Sequence, residues 1–347
     1  MKIELGISTF GETTPLEKTG KTIPHDERIR QMVAEIELAD KVGLDVYAIG
    51  EHHRDDFAVS APEIVMAAGA VNTKNIKLSS AVTVLSSNDP VRVYQNFSTV
   101  DALSNGRAEI MVGRGSFTES FPLFGYTLDN YDELFTEKLD MLEEIKANEI
   151  LDWKGKLTQS VDKRGVYPRH INLPIWVATG GNGQSTLQTA YRGLPIIYAI
   201  IGGNPFAFKY LVDAYKETFK SVHGDNLENM QVGAHSWGYI DNTTEEAVKK
   251  YYYPTKIFVD RIAKDRSSWR ELSKEAYEHM VSEEGAMMVG SPELVAKKII
   301  KLVEGLGLTR FLIHLPVGSL PHEDVLNSIK LFGEKVAPIV REYFKNK

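Results

Sequence analysis

Eight times along its length the chain passes from a short apolar, β-type run to an amphipathic stretch with helical spacing. That alternation restricts it to a parallel sheet covered by helices, because near-continuous apolar strands need both faces buried. The runs are 2–9, 46–50, 77–85, 107–112, 175–178, 194–201, 231–240 and 310–315. Between the first two, Ile29, Met32, Val33, Ile36 and Ala39 fall on one face of a helix over 26–42. Helix starts are equally legible. Asp89-Pro90, Asn204-Pro205 and Ser291-Pro292-Glu293 each place a capping side chain before a proline at the first helical position. Thr243-Thr244-Glu245-Glu246 has capping-box spacing. Eight units favour an α/β closed (β/α)8 TIM barrel over an open sheet, and 347 residues suit such a barrel with insertions. We expect one domain over 1–347, with insertions at about 153–172 and 251–290, the second placed to act as a lid.

Composition narrows the class. Forty Lys and Arg against 47 Asp and Glu leave a net charge of −7 with little segregation of sign. Nucleic acid and anionic membranes are therefore not expected as partners, since both need a concentrated basic surface. With no cysteine, disulfides, thiolate metal sites and cysteine nucleophiles are excluded. No apolar run approaches the length of a membrane span, and the first residues lack a signal-peptide core, so the expected location is cytoplasmic.

In a barrel of this kind the chemistry sits at the C-terminal ends of the strands. The second strand ends in Glu51-His52-His53, the fourth in Gly113-Arg114-Gly115-Ser116, and the fifth in Thr179-Gly180-Gly181-Asn182-Gly183-Gln184-Ser185. Adjacent histidines on a strand point to opposite faces, and no HExxH pattern accompanies them, so no metal site is expected. His52 reads either as a strand-end residue bonded to backbone or as a proton-moving imidazole with Glu51 in support. Arg114 between glycines reads as a surface ion pair or as a fork for an anion. The glycine-rich turn reads as a plain loop or as a phosphate cradle of amides, a hydroxyl and a helix N-terminus. It is neither a Walker sequence nor a GxGxxG fingerprint. Taken together, Arg114 and the turn point to one phosphate monoester. His235 and His314, inside apolar strands, read as satisfied barrel-interior histidines.

The ordered set Gly43-Leu44-Asp45, Glu51-His52-His53, Ser80-Ala81-Val82-Thr83-Val84-Leu85, Asp89-Pro90-Val91-Arg92, Ser104-Asn105-Gly106-Arg107 and Gly113-Arg114-Gly115 resembles the bacterial-luciferase-like flavin-dependent monooxygenases. Val177-Ala178, Gly193-Leu194-Pro195 and Val289-Gly290-Ser291-Pro292-Glu293 continue the likeness over nearly the whole chain. The resemblance implies reduced FMN held without a covalent link, contacted by Arg114, Ser116, Thr179, Gly180, Gly181 and Ser185 at its phosphate. It implies a non-prolyl cis bond at Ala81-Val82 under the ring, and His52 as the acid/base. It implies reaction of reduced flavin with O2 to oxygenate a small organic substrate, a separate flavin reductase, and a homodimer. Gly113 stands where the light-emitting members carry cysteine, which argues against light emission. The alternatives are deazaflavin (F420)-dependent hydride transfer on the same fold, a non-catalytic flavin-binding protein, and a sugar-phosphate aldolase or isomerase, which would lack a strand-end lysine.

Overall fold

A computed structural model describes residues 2–115, 117–345 and 347. Eight strands form the barrel: β1 (Glu4–Thr9), β2 (Val46–Ile49), β3 (Lys77–Ser80), β4 (Ala108–Gly113), β5 (Ile175–Thr179), β6 (Ile196–Ala199), β7 (Val232–Ile240) and β8 (Arg310–His314). Each pairs in parallel with the next, and β8 lies between β7 and β1, which closes the ring. Ser8 is in register with His314, and His314 with Trp237, so these three side chains share a level inside the barrel. Below them Val46, Ala48, Met111, Trp176, Ile197 and Leu312 pack as an interior cluster, separate from the larger core between strands and helices.

The N-terminal end of the barrel is stoppered by charge. Arg310, fully buried, forks onto Glu109 at 2.6 and 2.9 Å and reaches Glu4 at 2.8 Å, with its guanidinium 4.1 Å from the Trp176 ring. Lys77 bridges the same two carboxylates at 2.7 and 3.1 Å. The donors and acceptors come from the first residues of β1, β3 and β8 and the second of β4. This end is built for stability, which leaves the opposite end for ligands.

The helix starts form as their sequences predict. Asp89 accepts the amides of Val91 and Arg92 at 2.8 and 3.1 Å, and Thr243 and Ser291 cap their helices through side-chain oxygens. One expectation needs correction. The run 77–85 is not one strand: β3 stops at Ser80, the Ala81–Val82 peptide is cis, and only Thr83–Val84 resumes pairing, with β4. The segment 251–290 is largely regular. Helix Thr244–Asp265 runs through its first half with Pro254 inside, Lys274–Val281 follows, and Met288–Gly290 pairs with the end of β7. The closing helix is interrupted by a π turn at Phe332–Val336, where Gly333 lies against Val42 closely enough that a Cβ would come within 2.3 Å of its side chain. The other long connection folds as an antiparallel hairpin of Ile150–Trp153 with Val161–Gly165. Among the described residues no helix is long and apolar enough to cross a membrane.

Candidate active site

The C-terminal ends of the strands open into a cavity of about 610 Å³, a size that fits a cofactor or drug-sized ligand. Its floor is apolar, from Met111, Ala178, Ile197 and Leu312, with Ala81 and Val82 on one side. Helix Thr244–Asp265 and the residues after it supply Phe258, Ile262, Arg266 and Trp269 to the wall. The segment expected as a lid thus contributes to the cavity itself.

One end of the cavity gathers hydrogen-bond donors. Arg114 leaves β4 and donates to the Ser185 hydroxyl at 2.9 Å and to Asp132 at 2.8 Å, its guanidinium lying 4.4 Å from the Phe135 ring. Gly113 has no room for a side chain, since a Cβ there would meet Val82 at 2.8 Å. Gly115 adopts φ +82°, and its carbonyl accepts the Tyr131 hydroxyl at 2.8 Å. In the glycine-rich turn, the Thr179 hydroxyl accepts the amides of Gly181 and Asn182, and the Asn182 side chain caps the helix Gly183–Tyr191 by accepting the Ser185 amide at 2.9 Å. A helix leaves its first amides without carbonyl partners. The Asn182 side chain takes that of Ser185, Thr186 makes the first helical bond to the Asn182 carbonyl, and the amides of Gly183 and Gln184 have no partner among the described residues. A phosphate fits this donor set: a guanidinium, a hydroxyl and helix-terminal amides.

Of the predicted phosphate contacts, Arg114, Thr179, Gly180 and Ser185 line the cavity together. Gly181 does not; it adopts φ +107° and a Cβ on it would lie 3.1 Å from Phe208. Ser116 lies outside the described residues. Ala81 and Val82 both face the cavity.

The other end holds the histidines. His52 is 8 % exposed, stacked on Phe57 at 4.3 Å between centroids and edge-on to Phe10 and Phe117 at 4.5 and 5.1 Å. Burial, aided by the neighbouring His314, lowers its pKa to about 3, so the ring is neutral at physiological pH. It can donate one hydrogen bond and accept one, but it carries no charge. Glu51 does not support it. The Glu51 carboxylate accepts from His53 at 2.9 Å, from the Val84 amide at 2.8 Å and from Asn88 at 3.0 and 3.1 Å. Glu51 also donates its amide to the Val82 carbonyl. Its carboxylate thus ties His53 to the segment Val84–Asn88.

His314 is a satisfied interior histidine as expected, bonded to Glu12 at 2.7 Å and Ser8 at 3.3 Å. His235 departs from that expectation: its buried Nδ1 has no partner, and burial lowers its pKa to about 3. Sequence reasoning missed Glu12, Asp132 and Arg266. Glu12 lies just past the end of β1, Asp132 is in the helix Tyr131–Ala147, and Arg266 is the residue that follows the helix Thr244–Asp265, so folding alone brings the last two to the cavity. Asn182 carried a signal, as an N-cap residue three before Ser185. Among the described residues no cluster of His, Asp or Glu is arranged to hold a metal.

Comparison with known proteins agrees with this fold. A family model described as luciferase-like monooxygenase matches residues 3–310. The alkanal monooxygenase alpha chain of Aliivibrio fischeri is 22% identical over 329 residues, covering 87% of this chain and 90% of that protein. The FMN complex of the oxygenating constituent of 3,6-diketocamphane monooxygenase from Pseudomonas putida, a type II Baeyer–Villiger enzyme, superposes with TM-score 0.75 at 20% identity, over 97% of this chain and 99% of that one. The F420-dependent tetrahydromethanopterin reductase of Methanopyrus kandleri superposes with TM-score 0.73 at 18% identity, over the same shares, 97% and 99%. Through its closed barrel and the family model that spans most of its length, the chain belongs to the luciferase-like monooxygenases.

Proposed function

We propose that the protein is an FMN-dependent monooxygenase that uses reduced flavin and O2 on a small organic substrate. The observation that carries this reading is the convergence of Arg114 and Ser185, with two open helix amides, at one end of a cavity whose other end holds a neutral His52 among aromatic rings. Bound there, reduced FMN would supply the electrons that activate O2. The residues of the chain do the rest. Arg114, Ser185 and the turn Thr179–Gly180 hold the phosphate; Ala81 and Val82 support the ring. Phe10, Phe57 and Phe117 exclude water around His52, where a single neutral N–H or lone pair can hold or move one proton. Family membership supports a partner flavin reductase and a homodimer, and the sequence's lack of a signal-peptide core or membrane span supports a cytoplasmic location; sedimentation showing a monomer at micromolar concentration would remove the homodimer.

The test is anaerobic titration with reduced FMN and, separately, with reduced F420, followed by mixing with O2. Binding of FMN, lost in Arg114→Ala, with O2 consumed in a His52-dependent manner, supports the proposal. Binding of reduced F420 alone assigns hydride transfer instead. Flavin retained without turnover on any substrate assigns a flavin-binding role.

A further inference from the structure

Arg114 and Arg266 line the cavity, Arg54 lies over its lining residue Phe117 and Arg261 precedes its lining residue Ile262, and three of these four are paired with carboxylates. Arg114 pairs with Asp132; Arg54 with Asp56, Glu119 and Asp265; Arg261 with Asp55 and Asp56. Arg266 is different. It lines the cavity, yet among the described residues no carboxylate or hydrogen-bond acceptor engages its guanidinium. What it has is a ring: its guanidinium lies 4.6 Å from the centroid of Phe117. Glu119, the acid whose charge it feels most, is already bonded to Arg54 at 3.3 Å. Burial, reinforced by the charge of Arg54, holds its pKa below the usual guanidinium value. A half-buried cation without a counter-ion is costly, and an anionic ligand offsets that cost.

The placement is fixed by the fold. Helix Thr244–Asp265 ends one residue before Arg266, whose amide still donates to the Ile262 carbonyl, and the chain then turns through Trp269. Phe117 is the ring that Arg266 shares with His52, at 5.1 Å between ring centroids. Around it the wall is aromatic: Trp237 meets Phe258 at 5.6 Å and Trp269 at 6.1 Å. Arg114, by contrast, is tied to the glycine-rich turn through Ser185. The cavity therefore has two guanidiniums, Arg114 bonded to Ser185 at the glycine-rich turn and Arg266 over the ring of Phe117 beside His52, with Tyr131 between their charges.

We infer that Arg266 recognises the substrate, and that the substrate carries an anionic oxygen group, of which a carboxylate is the simplest, on an apolar body that packs against Phe258, Ile262 and Trp269. This rests on the monooxygenase reading for its cofactor but not for its binding chemistry. A guanidinium over an aromatic ring presents a planar fork that matches a carboxylate, and its attraction for a charged group exceeds that for the neutral amide of the same shape.

The experiment titrates a series of straight-chain and aryl carboxylates, each beside its primary amide, into the protein with and without FMN, by calorimetry. Wild type, Arg266→Gln and Arg266→Lys are compared, and the FMN affinity of each is measured by fluorescence. At least one carboxylate is expected to bind about tenfold or more tightly than its amide. Arg266→Gln is expected to erase that preference, Arg266→Lys to keep part of it, and both to bind FMN as wild type does. The inference is overturned if no carboxylate is preferred, or if the preference survives Arg266→Gln. It is equally overturned if Arg266→Gln loosens FMN as Arg114→Ala does, which would assign Arg266 to the cofactor phosphate. Should wild type bind no FMN while the free protein keeps an Arg266-dependent carboxylate preference, the cofactor reading fails and the substrate inference stands.

Discussion

Arg114 and Ser185 stand 71 positions apart in sequence and meet at 2.9 Å, which ties the end of β4 to the first turn of the helix after β5, where the proposed phosphate site lies. Each charge-assisted bond to a phosphate contributes about 1.5–3 kcal/mol net. Arg114→Ala is therefore expected to weaken FMN binding by roughly tenfold to a hundredfold. Ser185→Ala, which removes a neutral hydroxyl, is expected to cost less. Fluorescence titration with FMN, and with riboflavin as the control lacking phosphate, reads the difference. Equal losses for both ligands would mean that the pair shapes the cavity instead of gripping a phosphate.

Glu51 accepts hydrogen bonds from three partners in the interior, so removing its carboxylate strands all of them. Each unsatisfied buried group costs about 1–3 kcal/mol. Glu51→Ala is expected to lower the melting temperature clearly, and Glu51→Gln, which keeps an acceptor for the Val84 amide, to lower it less. Calorimetry checks both. A stable Glu51→Ala that merely loses activity would restore the direct catalytic role that its neighbour on the strand suggests.

The barrel was legible in the sequence because eight apolar runs with capped helices between them allow little else. Strand ends then gave a short search list, and Arg114, Thr179, Gly180 and Ser185 do share one cavity. What stayed hidden depends on side-chain direction and on distance along the chain. That Glu51 turns to His53, Val84 and Asn88 is set by contacts across the fold that the triplet itself does not show. That Arg266 reaches the cavity follows from where a long helix stops, and nothing local to residue 266 signals it. The pairing of Glu12 with His314 crosses the whole sequence, 302 positions, and only ring closure brings the two together.

His52 and His235 each have a pKa lowered by burial from 6.5 to about 3. Between those values the unfolded chain binds protons that the folded one does not, so stability rises with pH through this window and is lost as pH falls below about 6.5. The slope is about 1.4 kcal/mol per pH unit for each group within the window. Urea unfolding across the acid range is expected to show it. The slope should shrink in His235→Phe, which leaves the His52 end untouched. A slope that His235→Phe leaves unchanged would assign the acid loss to other groups.

Glu109 and Arg310 test the division of labour between the two ends of the barrel. Their forked pair is fully buried at the N-terminal end, remote from the proposed phosphate site in the strand direction. Removing one partner leaves the other charge without full compensation, a change that costs about 3–5 kcal/mol in buried pairs. Glu109→Gln is expected to lose stability at the lower end of that range, because Glu4 still holds Arg310 at 2.8 Å. Among the molecules that remain folded, FMN affinity is expected to match wild type, since Glu4, Lys77 and Trp176, which engage the pair, do not line the cavity. Denaturant unfolding measures the first and fluorescence titration at low temperature the second. A large loss of FMN affinity without a loss of stability would show that the two ends are coupled through the interior cluster around Trp176 and Met111.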